Sequence, residues 1–257
     1  MKRARVAFDG AIHWATPGPD TGGLVLADGR PIGPAAMIWL PPIDRGTTII
    51  ALGLNYADHS AELGFKAPAE PLIFLKGFNA LTGHNGSSVC PADARQMHPE
   101  CELAVVIGRV ARRVPRAEAM AYVGWYTIAN DYVVREYLEN YYRPNLRAKN
   151  RDGLTPLGPW LVDAQDLGNP QSLQLTTRVN GQVVQQGSTS DMVFDIPLLI
   201  EFLSAFMTLM PGDVILTGTP HGVVFVKPGD EVETEIEGIG ILRNRVRSDA
   251  VARTQRS

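Results

Sequence analysis

Apolar residues along this chain gather mostly in short blocks separated by glycine, proline and polar residues, a pattern that predicts strands more often than helices. Residues 1–45 are punctuated by "TPGPDTGG", "ADGRPIGP" and "LPPIDRG" and read as a small N-terminal β-rich segment. A main body over 46–257 opens with the strand "TTIIALGLN" and a short helix "YADHSAELG" stopped at Gly64. The runs "EPLIFLKGF" and "ECELAVVIGRV" read as buried strands, followed by a helix "RAEAMAYVGWY", a strand "TIAND" and a helix "REYLENYY". Residues 143–160 show no periodicity and read as a long loop, the kind of segment that often carries function. In "LQLTTRVNGQVVQQG" the pair Asn180-Gly181 predicts a two-residue hairpin. Asp195 reads as the N-cap of a core helix with Pro197 in its first turn, running to Pro211-Gly212. Strands "VILTGTP" and "DEVETEIEGIGILRNRV" close the body, and "ARTQRS" reads as a frayed end. With no internal repeat, the chain reads as mixed α/β and β-rich.

Composition narrows the class of partner. With 45% hydrophobic residues among 257, the chain can bury a large core. A formal charge of -3 provides no basic field for nucleic acid or anionic lipid, so small molecules are the expected partners. Asp9 and Gly10 interrupt the N-terminus before any signal-like apolar run, and "LLIEFLSAFMTLM" is too short to span a bilayer. The expected compartment is the cytoplasm. Cys90 and Cys101 form neither a disulfide framework nor a zinc knuckle, and Cys101 reads as a small buried hydrophobe.

One stretch resists a purely structural reading. In "HPECELAVVIG", Glu100 and Glu102 point the same way on one strand, roughly 6.5 to 7 Å apart. Like charges that close destabilise a fold unless a cation sits between them. An E-x-E pair alone is commonly a solvated strand face. The apolar run that follows predicts burial instead, and buried carboxylates need pairing or a metal. Asp131 in "TIANDY" supplies a third acid at a strand end. Three carboxylates without His or Cys describe a hard oxygen site suited to Mg²⁺, Mn²⁺ or Ca²⁺.

A metal in such a site is a Lewis acid and template, and protons need another group. His59 and Glu62, three apart on the short helix, share a face on which the carboxylate can orient the imidazole as a general base. The same spacing also fits a surface contact. Arg135 is placed one helical turn after Asp131, and Lys149 lies in the long loop among Arg147, Arg151 and Asp152. "LTGTP" lacks the Gly-Lys-Ser/Thr of a P-loop and reads as a tight turn exposing the Thr219 hydroxyl. His13, His84, His98 and His221 have no ligand-like spacing and read as structural or exposed.

The segments "ALGLNYADH", "EPLIFLK", "ECELAVVIG", "NDY", "GPWLVD", "VNG", "MVFDIPLLIEFLS", "PGDVILTGTP" and "GDEVETEIEGIG" resemble, in order, the fumarylacetoacetate hydrolase family over residues 45–246. "YLENYYRPNLRAKNRDG" is similar to the branch whose members act in 4-hydroxyphenylacetate degradation. The resemblance implies a mixed β-roll with short flanking helices, usually a homodimer and in some relatives joined to a paralogous unit. It implies a divalent ion at Glu100, Glu102 and Asp131, and a lid helix carrying His59 and Glu62. Lys149 is implied as the cation at the reacting oxygens, with Arg135, Thr219 and Lys76 as substrate contacts. The implied activity is decarboxylation of 5-carboxymethyl-2-oxo-hex-3-ene-1,6-dioate, isomerisation of 2-hydroxyhepta-2,4-diene-1,7-dioate, or both. Relatives acting on short oxoacids tend to carry glutamine where this chain has Leu138. The alternatives are C–C hydrolysis of an acylpyruvate at the same site, and a non-catalytic β-domain around a structural cation.

Overall fold

The structure is a computed structural model that describes residues 1–19, 22–62, 64, 68–138 and 145–249. The N-terminal segment supplies β1 (Lys2–Phe8), β2 (Ala11–Pro17), β3 (Leu24–Leu26), β4 (Pro31–Ile32) and β5 (Ile38–Leu40). There follow β6 (Ile49–Gly53), α1 (Ala57–Glu62), β7 (Leu72–Lys76), β8 (Leu81–Thr82), β9 (Gly86–Cys90), β10 (Met97–His98) and β11 (Cys101–Ile107). The middle of the chain forms β12 (Val123–Asn130), β13 (Val133–Val134), α2 (Leu146–Lys149) and β14 (Thr155–Asp163). The remainder is β15 (Gln174–Val179), β16 (Gln182–Ser188), α3 (Ile196–Phe206), β17 (Val214–Leu216), β18 (Glu231–Ile236) and β19 (Gly240–Ser248). Strands dominate and the helices are few, as the apolar pattern predicts. Among the described residues no helix is long and apolar enough to cross a membrane.

A large sheet runs β4-β3-β2-β1-β14-β12-β11-β17-β6-β7, and a second runs β16-β15-β18-β19-β9. Strand β11 lies in the middle of the first and is buried along its whole length. On one face Cys101, Leu103, Val105 and Ile107 pack with Leu199, Ile200 and Leu203 of α3 and with Leu175, Ile236 and Leu242 of the second sheet. On the other, Ala104 and Val106 meet Ile49, Ala51, Val214 and Leu216. A strand covered on both sides has no solvent face to mark with polar residues, so "LAVVI" reads as continuous apolar sequence. Burial also pushes the Cys101 thiol up and keeps it protonated, so it acts as a core atom.

The turn chemistry behaves as its residues dictate. Asn180 and Gly181 both take positive φ, 51° and 79°, and close the β15–β16 hairpin. The Asp195 carboxylate accepts from the Leu198 N–H at 2.9 Å and caps α3, with Pro197 inside the first turn. Asp195→Ala is expected to cost about 1 kcal/mol of stability, seen as a lower urea midpoint at unchanged slope.

Four segments depart from the sequence reading. Helix α3 ends at Phe206 rather than at Pro211, because Leu209 exchanges both backbone hydrogen bonds with Ala111. "RAEAMAYVGWY" is a 3₁₀ segment only over Arg116–Tyr122; its last residues belong to β12. Within 143–160, expected as loop, Leu146–Lys149 form α2 and residues 155–160 begin β14, whose burial on both faces and two prolines hide the strand pattern. Of "REYLENYY", Arg135–Tyr137 is a 3₁₀ turn and residues 139–142 lie outside the described residues.

Candidate active site

Strand register builds the acid cluster. Cys101 pairs with Asn130 across β11 and β12, so the residues just beyond the pair, Glu100 and Asp131, stand opposite each other. Two further bonds fix that crossing: Asp131 N–H donates to the Glu100 carbonyl at 2.9 Å, and Glu100 N–H to the Asn130 side-chain oxygen at 2.9 Å. Glu102 lies one step inside β11 on the same side as Glu100. Ligand oxygens of Glu100, Glu102 and Asp131 all fall within 4.8 Å of one another, and all three residues are buried.

Two lysines enter the same space. Lys149, at the end of α2, donates through Nζ to Glu100 Oε2, to Asp131 Oδ2 at 3.0 Å and to the Asp131 carbonyl at 3.3 Å. Lys76, at the end of β7, donates to Asp131 Oδ1 at 2.5 Å and to the Lys149 carbonyl. Asn150 ties β7 to α2 by donating to the Leu75 carbonyl and accepting from Gly77 N–H. Three carboxylates against two ammonium groups leave one negative charge without a partner.

Electrostatics mark Glu102 as the acid without a cationic partner, whose ionised form is disfavoured. Burial, then the neighbouring Asp131 and Glu100 charges, push its carboxyl well above the ordinary range. For Glu100, burial pushes the same way, but the Lys149 ammonium, His98 and His59 outweigh it and hold the carboxyl at about 2. Glu102 Oε2 accepts from the Gly218 N–H at 2.6 Å, whereas its buried Oε1 has no hydrogen-bond partner. A buried carboxylate oxygen left unpartnered among three acids is the donor set a hard divalent cation takes, so the residues present fit such an ion.

The His59 imidazole is buried and its Nδ1 lies 3.1 Å from Glu62 Oε2. Glu62 also accepts from the Gly222 and Val223 N–H groups, which fixes the carboxylate against the loop after β17. The imidazole is therefore buried while its carboxylate partner is tied to the backbone of that loop. Thr219, on that loop, is buried and its Oγ1 accepts from Gln185 Nε2 at 2.9 Å. Gln185 is itself oriented by the Thr177 hydroxyl, which donates to its Oε1 at 2.8 Å. Since Thr219 Oγ1 is used as an acceptor there, its own O–H remains to donate elsewhere.

Two expectations change: Thr219, read as an exposed turn hydroxyl, is buried, and Arg135 is placed differently. Arg135 is not one helical turn from Asp131: β13 intervenes, and the half-buried arginine opens a 3₁₀ turn where its charge acts on His98. His98 itself is fully buried, 3.8 Å from Glu100 Oε1, with its Nε2 unpartnered. Burial above all lowers its imidazole to about 4, so it stands neutral at the edge of the cluster. Sequence spacing gave no sign of Gln185, Asn55 or Gly218, whose contacts with the site join distant parts of the chain.

The fold and the acid cluster together define a hard-oxygen site within a sheet-rich α/β chain. Residues 48–247 match the profile described as fumarylacetoacetate (FAA) hydrolase C-terminal, and the protein belongs to that family. Over 205 residues it is 57% identical to the C-terminal half of the 4-hydroxyphenylacetate degradation bifunctional isomerase/decarboxylase of Salmonella dublin, an alignment covering 80% of this chain and 48% of that protein. The chain spans about half the length of the curated relatives of this kind that it matches. Among solved structures, 5-carboxymethyl-2-hydroxymuconate delta-isomerase from Mycobacterium smegmatis superposes with a TM-score of 0.84 at 42% identity, covering 96% of this chain and 99% of that one. The maleylpyruvate hydrolase of Sphingobium sp. SYK-6, solved in complex with manganese(II) ion and pyruvate, superposes at 0.82 with 28% identity, covering 96% and 99%. The expected family and fold class are thus met.

Proposed function

We propose that this protein is a divalent-metal-dependent decarboxylase/isomerase of 4-hydroxyphenylacetate catabolism. It decarboxylates 5-carboxymethyl-2-oxo-hex-3-ene-1,6-dioate, isomerises 2-hydroxyhepta-2,4-diene-1,7-dioate, or does both. The observation that carries the reading is the buried Glu100, Glu102 and Asp131 cluster, with one oxygen unpartnered, together with a buried His59 imidazole held by the Glu62 carboxylate. Identity to the C-terminal half of the Salmonella dublin isomerase/decarboxylase supports the substrate class.

Mg²⁺, or Mn²⁺ or Ca²⁺, held by the three carboxylates would supply Lewis-acid polarisation of a 2-oxo carboxylate and offset charge as an enolate develops. Decarboxylation and tautomerisation share that enolate, so one site serves either step. With Glu62 accepting at Nδ1, the His59 tautomer protonated there keeps Nε2 free to take or return a substrate proton. The Thr219 O–H donates to a substrate oxygen, and the Lys149 ammonium balances developing negative charge. Arg135 offsets a distal carboxylate of this polyanionic substrate. A buried imidazole with its own carboxylate supports catalysis over a purely structural cation site.

Purified protein given both pathway substrates and an acylpyruvate, with EDTA or Mg²⁺, decides the reaction. Expected are Mg²⁺-restored CO₂ release or tautomer absorbance change with the pathway substrates. Full turnover in EDTA would remove the metal dependence. Pyruvate release from the acylpyruvate alone would replace the proposed reaction with C–C hydrolysis.

A further inference from the structure

The turn after β17 does more than carry Thr219. Its Gly218 N–H is the single hydrogen-bond partner of Glu102's carboxylate among the described residues. Thr217, just before it, is stitched to β11, with N–H and hydroxyl both donating to the Leu103 carbonyl at 3.1 and 2.9 Å. Fully buried Asn55, two residues past β6, holds the turn from behind. Its Nδ2 donates to the Thr217 carbonyl at 2.8 Å and the Phe194 carbonyl at 3.1 Å, while its Oδ1 accepts from the Phe194 N–H at 2.8 Å. Glycine is required in this turn for two reasons. Its φ is +90°, and a Cβ there would lie 2.9 Å from the Asn55 Cβ.

This arrangement separates Glu102 from the other two acids. Glu100 shares an oxygen with Lys149, and both Asp131 oxygens bond lysine ammonium groups. Glu102 touches neither lysine; one oxygen is tied to backbone and the other is bare.

We propose that Asn55, Thr217 and Gly218 are positioning residues that make Glu102 a one-oxygen ligand: Gly218 anchors Oε2, and Oε1 alone is presented to the ion. The inference rests on the metal-dependent reading above. Supporting contacts of this kind typically alter metal affinity about 10- to 100-fold when lost.

The test is Mn²⁺ titration by calorimetry, with circular dichroism to confirm folding, on wild type, Gly218→Ala, Thr217→Val and Gly181→Ala. Gly181 supplies the control, because it has φ +79° and open space where a Cβ would go, far along the chain in the β15–β16 turn. Gly218→Ala is expected to weaken Mn²⁺ binding about tenfold or more. Thr217→Val, close to isosteric, should weaken it in the same direction, while Gly181→Ala binds as wild type. Wild-type affinity in folded Gly218→Ala overturns the proposal; if that variant does not fold, unchanged affinity in Thr217→Val overturns it. Equal loss in Gly181→Ala also overturns it, since the effect would then be general destabilisation. Failure of wild type to bind Mn²⁺ overturns the metal reading itself, and the positioning role with it.

Discussion

Glu102→Gln is expected to lower turnover by about three orders of magnitude, on the order of 4 kcal/mol of transition-state stabilisation. Mn²⁺ affinity should fall by about 100-fold or more, since a ligand contributes at least as much as its supporting contacts. The metal-free protein should become more stable. Glu102 is the acid whose carboxyl burial and like charges push upward, and it has no ammonium partner, so its ionised form opposes folding. Glutamine removes the charge, can still accept from Gly218 N–H and keeps the shape. Asp131→Ala should have the opposite effect on folding. It would leave Lys76 and Lys149 buried without their shared carboxylate, a change of the kind that costs about 3–5 kcal/mol. Thermal unfolding with and without Mn²⁺ checks both signs. At metal 100-fold above its Kd, wild type gains about 2.7 kcal/mol, and Glu102→Gln should gain almost nothing. A Glu102→Gln protein that is stabilised by Mn²⁺ like wild type would remove Glu102 from the site.

What could be read in the sequence follows from how local each cause is. The Asn180-Gly181 turn, the Asp195 cap and the buried run after Glu102 are written in a few neighbouring residues, and each appears in the structure. The E-x-E spacing states that two acids share a face. That Asp131 stands opposite them depends on β11–β12 register, which apolar pattern alone does not set. Lys76 shows the limit more clearly. In sequence it ends an ordinary strand, yet its ammonium is buried against Asp131 because Asn150 ties the edge of β7 to α2. Arg135 is not set one helical turn from Asp131 because Val133 pairs with His98 as strand, a long-range pairing that spacing alone does not reveal. Thr219 was legible as a turn hydroxyl, but the Thr177–Gln185 chain that orients it was not, since glutamine in a hairpin strand signals nothing by itself.

His59→Ala is expected to separate proton transfer from metal binding. The imidazole touches Glu62 and not the three carboxylates, so Mn²⁺ affinity should change little while turnover falls by about 10²- to 10⁴-fold. Glu62→Gln should give a smaller loss in the same direction, because it weakens the hold on Nδ1 while leaving the base present. It should also loosen the loop at Gly222 and Val223, whose N–H groups Glu62 accepts, and so raise KM as well as lower kcat. The contrast with Glu102→Gln is the useful one: that variant loses metal and rate together, whereas His59→Ala keeps metal and loses rate. Measuring kcat, KM and Mn²⁺ Kd on the three variants tests the division of labour. If His59→Ala turned over at the wild-type rate with Mn²⁺ bound, the proton would have to move through another group, and neutral His98 beside Glu100 is the buried imidazole placed to be tried next.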